Sequence, residues 1–285
     1  MKIVVTGAHG QLGRDMVETL LERGHEAIGL GRHELDICDQ AACQAAMREL
    51  RPDAVIHCAA YTAVDRAETD ADAPYAVNAW GTRNMAAAAA AVGAKVVYVS
   101  TDYVFDGTSL QPYVEYDLTN PRSVYGKSKL AGEQLLQTLC SRYFIVRTSW
   151  VFGRHGANFV KTMLKLGAEK DQLKVVNDQI GSPTYTIDLA SFIVDLVETE
   201  RYGIYHASNA GSCSWFEFAQ AIFAESGQQV EVLPCTTEEF PRPAPRPRYS
   251  VMEHMAIRTN GFVDLRPWRE ALSDFVSRMD EGSTP

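Results

Sequence analysis

The sequence predicts an α/β protein built on a doubly wound parallel sheet, with a smaller C-terminal lobe for substrate. Three observations support this fold class. The chain opens with a β-branched run that passes through spaced glycines into a helical pattern, over residues 2–13. Apolar strand patterns then alternate with helical patterns, an order that favours parallel strands joined by helices. The strand patterns are also continuous apolar runs, as expected where both faces of a sheet are covered.

The first turn carries glycines at three-residue spacing, at positions 7, 10 and 13. In a Rossmann-type turn such glycines permit the tight bend, let the backbone approach a pyrophosphate and let the helix pack close to the strand. The spacing differs from G-x-G-x-x-G, and a glycine-rich turn in an unrelated α/β protein is the alternative. We expect a dinucleotide cofactor here, in contact with Gly7, Gly10, Gln11, Leu12 and Gly13.

The second strand, residues 26–30, ends at the position where the protein contacts the adenosine ribose of a dinucleotide. An acidic residue there would bind the 2′-hydroxyl of NAD, whereas an arginine pairs with a 2′-phosphate. Arg32 therefore favours NADPH, with NADH left open, although a solvated turn cation is an equal alternative. Asp36 and Ile37 follow and are expected near the adenine.

Composition excludes several classes of protein. The formal charge of −9 over 285 residues does not favour binding to nucleic acid or to an anionic membrane. No apolar run reaches the roughly 18 residues of a spanning helix, and the N-terminus lacks the zones of a secretory signal. The six cysteines form no C-x-x-C pair, which favours a reduced, cytoplasmic protein without a zinc site.

Further along the chain, helices and strands are predicted in strict alternation. Helices are expected at residues 40–50, 70–92 and 124–140, and strands at residues 54–57, 95–100 and 143–148. Residues 1–150 are expected to form the dinucleotide-binding core, with some later segments returning to it. Residues 151–285 are expected to form mainly the smaller lobe, in which helices at residues 214–226 and 267–279 are clearest.

Polar or small residues follow three of these strands, at the edge where ligands collect in such sheets. Ala59, Ala60 and Tyr61 would let a nicotinamide ribose lie close to the backbone. The hydroxyl of Thr101 could hydrogen-bond a carbonyl oxygen, although a turn or capping role is the alternative. Trp150 fits a wall for a sugar ring and an ordinary core aromatic equally well.

Tyr125 and Lys129 lie four residues apart in a predicted helix and therefore share one face. A nearby ammonium lowers the pKa of a tyrosine from its usual value of about 10, towards the range of a general acid or base. Taken alone, the pair is more often an exposed helix turn. Beside a cofactor turn, it predicts proton transfer.

Four further segments carry a family resemblance together with the glycine turn and the Tyr125/Lys129 pair. The chain resembles the extended short-chain dehydrogenases/reductases, and in particular those that reduce nucleotide sugars. The similarity runs from the first turn to about residue 186, with more in a Pro/Arg-rich stretch. The segments are residues 100–107, 147–151, 177–184 and 241–247.

The resemblance implies that a reduced nicotinamide reduces the C4 keto group of dTDP-4-dehydro-6-deoxy-L-mannose to dTDP-L-rhamnose. It makes Tyr125 the proton donor, Lys129 the residue that lowers the tyrosine pKa and binds ribose, and Thr101 the hydroxyl that orients the carbonyl. Asp102 and Trp150 would contact the sugar.

Asn158 and the arginines of the Pro/Arg-rich stretch are candidates for the substrate diphosphate, because guanidinium groups pair well with phosphate. A stiff surface loop is the alternative for that stretch. The arginines are Arg242, Arg246 and Arg248.

The resemblance also raises a dimer bridged by magnesium through acidic side chains. Asp15 matches one such position, but Asp188 is displaced by one residue and fits the first turn of a helix instead. No metal is therefore expected, while a homodimer stays open. Two other functions remain: a reductase of another 4-keto nucleotide sugar for surface polysaccharide, and a non-catalytic NADP-binding regulatory subunit.

Overall fold

The computed structural model describes residues 1–281. The strands are β1 (Lys2–Thr6), β2 (Glu26–Leu30), β3 (Ala54–His57), β4 (Lys95–Thr101), β5 (Tyr143–Thr148), β6 (Val151–Phe152), β7 (Gln172–Val176), β8 (Ile180–Gly181), β9 (Thr184–Tyr185), β10 (Gly203–His206), β11 (Cys213–Ser214) and β12 (Glu231–Cys235). The α-helices are α1 (Gln11–Glu22), α2 (Gln40–Leu50), α3 (Val64–Ala67), α4 (Asp72–Pro74), α5 (Thr82–Ala91), α6 (Val124–Leu139), α7 (Phe159–Gly167), α8 (Thr186–Val197), α9 (Trp215–Ser226), α10 (Met255–Thr259) and α11 (Trp268–Glu281). A π-helical segment spans Tyr75–Gly81, and a 3₁₀ turn spans Asp102–Val104.

The central sheet has six strands in the order β10-β5-β4-β3-β1-β2, and every neighbouring pair is parallel. The direction of strand addition reverses between β1 and β3. In open sheets of this kind, ligands bind beyond the carboxyl ends of the strands at that reversal. The predicted doubly wound fold is confirmed.

Alternate residues of each strand serve two apolar layers, because successive side chains point to opposite faces. Ile3 and Val5 of β1 pack with α1 and α8, whereas Val4 packs with residues of α2 and α5. Both faces of the sheet are therefore covered by helices, which explains why its strands read as continuous apolar runs.

A separate apolar cluster lies in the C-terminal half of the chain and is centred on the fully buried Phe152 and Phe218. It draws on helices α7, α9 and α11, beside the parallel pair β7 and β12. Strand β10 and helix α8 belong instead to the main sheet and its covering layer. The division of the chain near residue 150 stays a prediction.

The helix predicted at residues 70–92 is interrupted. A π-helical segment separates α4 from α5, and within it the carbonyl of Asn78 accepts the Thr82 hydroxyl at 2.7 Å. Such segments concentrate at functional sites, and the apolar period of the sequence does not mark them. Within residues 1–281, no helix combines the length and apolar character that a membrane span needs.

Candidate active site

The N-terminus of α6 brings Tyr125 and Lys129 to the carboxyl edge of the sheet. Ser123 caps the helix, with its side chain accepting a hydrogen bond from the Gly126 amide at 3.0 Å. A Cβ at Gly126 would lie 2.2 Å from the carbonyl oxygen of Tyr103. The close approach that glycine allows fixes the start of α6 against the turn that follows β4.

The Tyr125 side chain is buried and packs against a second tyrosine. Its ring meets that of Tyr103 edge to face at 5.6 Å between centroids. Burial raises the pKa of Tyr125 above its usual value, and hydrogen bonding with Thr101 opposes that rise. The expected lowering by Lys129 is therefore wrong for this structure, because loss of hydration outweighs any help from a neighbouring charge.

The ammonium of Lys129 is engaged by strand β4. Its Nζ donates to the carbonyl of Val99 at 2.6 Å and lies 3.9 Å from the centre of the Tyr98 ring. The side chain is 1% exposed, and burial lowers the pKa of Lys129 to about 7. The structure thus places an amine of lowered pKa one helical turn from a phenol of raised pKa.

Thr101 and Asp102 form a connected polar pair at the end of β4. The Thr101 hydroxyl donates to Asp102 Oδ1 at 2.9 Å and accepts from the Tyr103 amide. Burial raises the pKa of the Asp102 carboxyl to about 6, and hydrogen bonding with Ser250 and Thr101 opposes the shift. Asp102, Thr101 and Tyr125 therefore lie together, as the sequence predicted.

Asn78 in the π-helical segment is a residue that sequence reasoning missed. Its amide accepts from the Tyr61 amide at 2.8 Å and donates to the Tyr61 carbonyl at 3.1 Å. It also donates to the Ser128 hydroxyl at 3.0 Å. The predicted nicotinamide loop, residues 59–61, is thereby tied to the helix that carries Tyr125.

The glycine turn has the geometry that the sequence argument requires of it. Gly7 has a φ of 65°, and a Cβ there would lie 2.7 Å from the Ala59 amide nitrogen. A Cβ at Gly13 would lie 2.2 Å from the Gly7 carbonyl. The turn therefore packs directly against the loop after β3, and α1 packs directly against the turn.

Gln11 and Asn158 connect this turn to the second half of the chain. Gln11 Nε2 donates to the Val151 carbonyl at 3.2 Å, and Asn158 Nδ2 donates to Gln11 Oε1 at 2.8 Å. Asn158 also caps α7 through Lys161. Because its amide is already bonded within the protein, its role at the substrate diphosphate stays a prediction.

The segment after β2 holds the predicted ribose and adenine contacts. Arg32 is exposed beyond the end of the strand, and Ile37 is buried against Gly81. The Asp36 carboxylate accepts from the Cys38 amide at 2.9 Å. Glu34, which the sequence argument left out, accepts from the Gly31 amide at 2.9 Å, so this edge carries both an exposed cation and an acid.

Trp150 forms half of an aromatic stack on the C-terminal side of the crevice. It lies 3.5 Å from Trp215 at an interplanar angle of 9°, and a Cβ at Gly181 would lie 2.5 Å from its ring. Its φ of 48° is unusual for a non-glycine residue. Trp150 is thus clamped between two neighbours, and Trp215 is a second residue that the sequence argument missed.

A strap at residues 241–250 crosses from the smaller lobe to the first half of the chain. Arg246 pairs with Asp65 at 2.8 Å, and the Ala244 amide donates to the same carboxylate. A Cβ at Gly107 would lie 2.4 Å from Pro247. Of the predicted diphosphate arginines, Arg246 is held by Asp65, Arg242 lies over the Phe240 ring, and Arg248 pairs with the exposed Glu238.

The acidic positions raised for a metal-bridged dimer lie in different environments. Asp188 is in the first turn of α8 and pairs with Arg266 at 2.9 Å, as a helix-terminal acid. Asp15 lies near Glu18 and His155, with potential ligand atoms within 4.8 Å of one another. Asp188 is therefore already engaged by a cation of its own chain.

A parallel sheet with a glycine turn after its first strand and a tyrosine–lysine pair beside the crevice defines the chain as a short-chain dehydrogenase/reductase. A family model described as the RmlD substrate binding domain matches residues 1–281. The chain belongs to this family, and the resemblance drawn from the sequence is confirmed.

Individual relatives agree over nearly the whole chain. The spore coat polysaccharide biosynthesis protein SpsK of Bacillus subtilis is 46% identical over 275 residues, 96% of each chain. A dTDP-4-dehydrorhamnose reductase of Streptomyces griseus is 45% identical over 278 residues, 95% of this chain and 91% of the relative. The crystal structure of dTDP-4-dehydrorhamnose reductase from Bacillus anthracis in complex with NADP has a TM-score of 0.96 and 48% identity, covering 98% of this chain and 100% of that one.

Proposed function

We propose that this protein reduces the C4 keto group of dTDP-4-dehydro-6-deoxy-L-mannose to dTDP-L-rhamnose, with NADPH as reductant. The observation that carries the proposal is the buried Tyr125 phenol beside Thr101, at a sheet edge of the kind that binds dinucleotides. The choice of substrate is inferred from the names of relatives at 41–45% identity, which are dTDP-4-dehydrorhamnose reductases.

NADPH supplies the hydride, and residues at the carboxyl edge of the sheet would bind the cofactor. The Gly7–Gly13 turn would hold the pyrophosphate, with Gln11 and Leu12 at the start of α1. Arg32 would pair with the 2′-phosphate, as the NADP in a relative's structure supports. Asp36 and Ile37 would border the adenine, and Ala59, Ala60 and Tyr61 would border the nicotinamide ribose.

The Tyr125 phenol is in its protonated form at neutral pH, which is the form that the reductive direction needs. A phenol that keeps its proton at neutral pH can donate it to the keto oxygen as negative charge develops there. Thr101 would orient the same oxygen, and Lys129 would bind the ribose. Asp102, Trp150 and Arg246 are proposed as substrate contacts, with the first two at the sugar.

Replacement of Tyr125 by Phe tests the proposal, because it removes the proton donor and keeps the ring. We expect NADPH oxidation with the 4-keto substrate to fall roughly 10²- to 10⁴-fold, the usual contribution of a general acid. NADPH affinity should be unchanged. Tyr116→Phe, at a 73% exposed site, is the matched control and should react at the wild-type rate. Equal rates for wild type and Tyr125→Phe would refute the mechanism.

A second candidate is a reductase of a different 4-keto nucleotide sugar for a surface polysaccharide. The 46% identity to a spore coat polysaccharide biosynthesis protein favours keeping it. A panel of dTDP-linked 4-keto sugars, compared by kcat/KM, separates the two. A regulatory subunit that only binds NADP predicts tight cofactor binding and no turnover with any sugar of the panel.

Cellular location and oligomeric state also belong to the proposal. We propose a cytoplasmic protein, because all six cysteines are free and three of them are more than 95% buried as thiols. A homodimer stays a prediction, which sedimentation equilibrium would test.

A further inference from the structure

The backbone of Trp150 is strained at a position close to the proposed reaction centre. In the parallel ladder between β4 and β5, Thr101 pairs with Thr148, so Trp150 lies two residues beyond the strand partner of Thr101. Its positive φ is one that a bulky residue rarely adopts. Within residues 1–281, the other non-glycine residue of positive φ is Arg51, which ends helix α2, where left-handed residues are common. Trp150 ends no helix, so its conformation needs another cause.

Contacts of the backbone on both sides of the ring hold this conformation. The carbonyl of Trp150 accepts from the Thr184 amide at 3.2 Å, where β6 pairs with β9. The next carbonyl, that of Val151, accepts from Gln11 Nε2 at the start of α1. Strained residues persist only where the surrounding structure over-determines them, and they cluster at ligand sites. The strain therefore indicates that the position of the Trp150 ring has a function.

One two-stranded ribbon supplies both neighbours that hold the ring. Strand β8 pairs antiparallel with β11, with Gly181 opposite Cys213, and β11 leads directly into Trp215 at the start of α9. Gly181 leaves room for the edge of the Trp150 ring, and Trp215 stacks on it. Trp215 is itself supported from behind by Phe159 of α7, at 4.5 Å between ring centroids. The stack is thus fixed on the side away from Trp150.

The polar edge of the Trp150 ring stays available. The side chain is half-buried, and its indole N–H donates to no group of the chain within residues 1–281. A tryptophan N–H usually finds a partner where it is buried, so this donor is left to a ligand or to water. Trp150 therefore combines a fixed ring with a free donor, whereas Trp215 lies behind it.

We propose that Trp215 is a positioning residue for sugar recognition, because its stack fixes the Trp150 ring against which the hexose of the substrate lies. The inference rests on the proposed function, since it takes Trp150 to contact the sugar. A ring that is already ordered in the free protein lowers the entropy cost of binding. Trp215 would therefore add to the affinity for the sugar without touching it, and would add nothing to the affinity for the nucleotide.

The test is the share of the affinity that the sugar contributes. It is measured by calorimetry, with NADP⁺ present, as the ratio of the Kd for dTDP to the Kd for dTDP-L-rhamnose. We expect Trp215→Leu to lower this ratio about threefold to tenfold, the range of a lost aromatic pair, with the Kd for dTDP unchanged. Trp215→Phe keeps a ring in the stack and should recover most of the ratio.

Trp268→Leu is the matched control, because Trp268 also begins a helix and also meets Phe218. Its ring has no contact with that of Trp150 within the described part of the chain. The control should be less stable than wild type, because Trp268 is 5% exposed, and should keep the wild-type ratio. A ratio lowered as far as in Trp215→Leu would mean general loosening of this apolar cluster, and the inference would fail. Circular dichroism checks first that each variant is folded.

The indole N–H signal of Trp150 in nuclear magnetic resonance spectra reports the position of the ring without any ligand. The chain has four tryptophans, so single replacements assign the signals. We expect one sharp Trp150 signal in wild type and Trp215→Phe, and a broadened or split signal in Trp215→Leu, where the ring samples several positions.

A Trp150 signal that stays single and sharp in Trp215→Leu would overturn the inference. An unchanged ratio in that variant would also overturn it, provided that the wild type prefers dTDP-L-rhamnose to dTDP. A wild type without that preference, together with the expected broadening, would leave the positioning of the ring intact and count against the proposed function alone.

Discussion

Helix α6 carries two buried charged side chains one turn apart, and only one of them has a partner of opposite charge within the described residues. Glu133 is 1% exposed and receives Arg147 through two nitrogens, at 3.0 and 2.8 Å, and the Ser100 hydroxyl at 2.5 Å. Lys129 is equally buried, yet its ammonium meets a backbone carbonyl and the face of a ring, and no carboxylate within residues 1–281 forms an ion pair with it. One charge is matched by an opposite charge, and the other is not.

The difference indicates which charge serves the fold and which serves chemistry. A buried pair with satisfied hydrogen bonds is compensated within the protein and has no capacity left for a ligand. A buried ammonium without a carboxylate contact loses its hydration, and its remaining contacts do not replace the lost stabilisation. Burial therefore lowers the pKa of Lys129 to about 7. Perturbed groups of this second kind cluster at functional sites.

Removal of Arg147 should have the largest effect on stability. Arg147→Met leaves the Glu133 carboxylate buried without its partner, and we expect the free energy of unfolding to fall by about 3–5 kcal/mol in urea titrations. The double variant Glu133→Leu/Arg147→Met removes both charges and should recover most of that loss. If the single and double variants were equally unstable, the pair would not be a compensated unit.

Lys129→Met should change how stability depends on pH. A lysine whose pKa is lowered on folding holds fewer protons in the folded than in the unfolded chain between about pH 7 and its usual pKa, so stability rises with pH there. The wild type should therefore gain about 2 kcal/mol relative to Lys129→Met between pH 7 and 9. Parallel pH profiles would show that the amine titrates normally.

Ser100→Ala should cost less, because it removes one hydrogen bond to Glu133 and leaves the Arg147 contacts in place. We expect a loss of about 2 kcal/mol in the free energy of unfolding, typical of a bond to a charged group. Ser277→Ala, which removes an exposed hydroxyl, is the matched control. A loss no greater than that of the control would mean that water replaces the serine.

An exposed pair gives the smallest expected effect. Arg23 and Asp195 meet at 2.7 Å with side chains 39% and 47% exposed. Arg23→Ala should change the free energy of unfolding by less than about 1 kcal/mol, and by less again in high salt. A cost approaching that of Arg147→Met would remove the contrast between buried and exposed pairs.

Local patterns were enough to predict the sheet and the Tyr125/Lys129 face. Continuous apolar strands and the glycine turn depend on neighbouring residues, and i,i+4 spacing is a local property of a helix. The same spacing continues from Lys129 to Glu133, so a buried acid on that face was also open to prediction. Its partner Arg147 was not, because β5 reaches Glu133 only through the folded arrangement.

The missed parts of the site depend on contacts between distant segments. Asn78 acts from a segment whose apolar pattern resembles an ordinary helix, and Trp215 meets Trp150 across 65 residues of chain. The direction of the Tyr125 pKa shift was missed for a related reason. Spacing showed a neighbouring charge, whereas burial, which dominates, is a property of the whole fold.

The π-helical segment Tyr75–Gly81 also restricts how this chain can change in length. Each residue of a helix advances it by about 100°. Because π turns hold more residues than α turns, deletion of one residue there would let the segment tighten into a regular helix with α5 close to its present orientation, whereas insertion of one residue into a regular turn would rotate α5 by roughly that angle relative to α4. The alanines of α5 that face α2 and the sheet would then swing outwards, so an insertion between Asn78 and Thr82 would misalign the cofactor loop and the core in a single step.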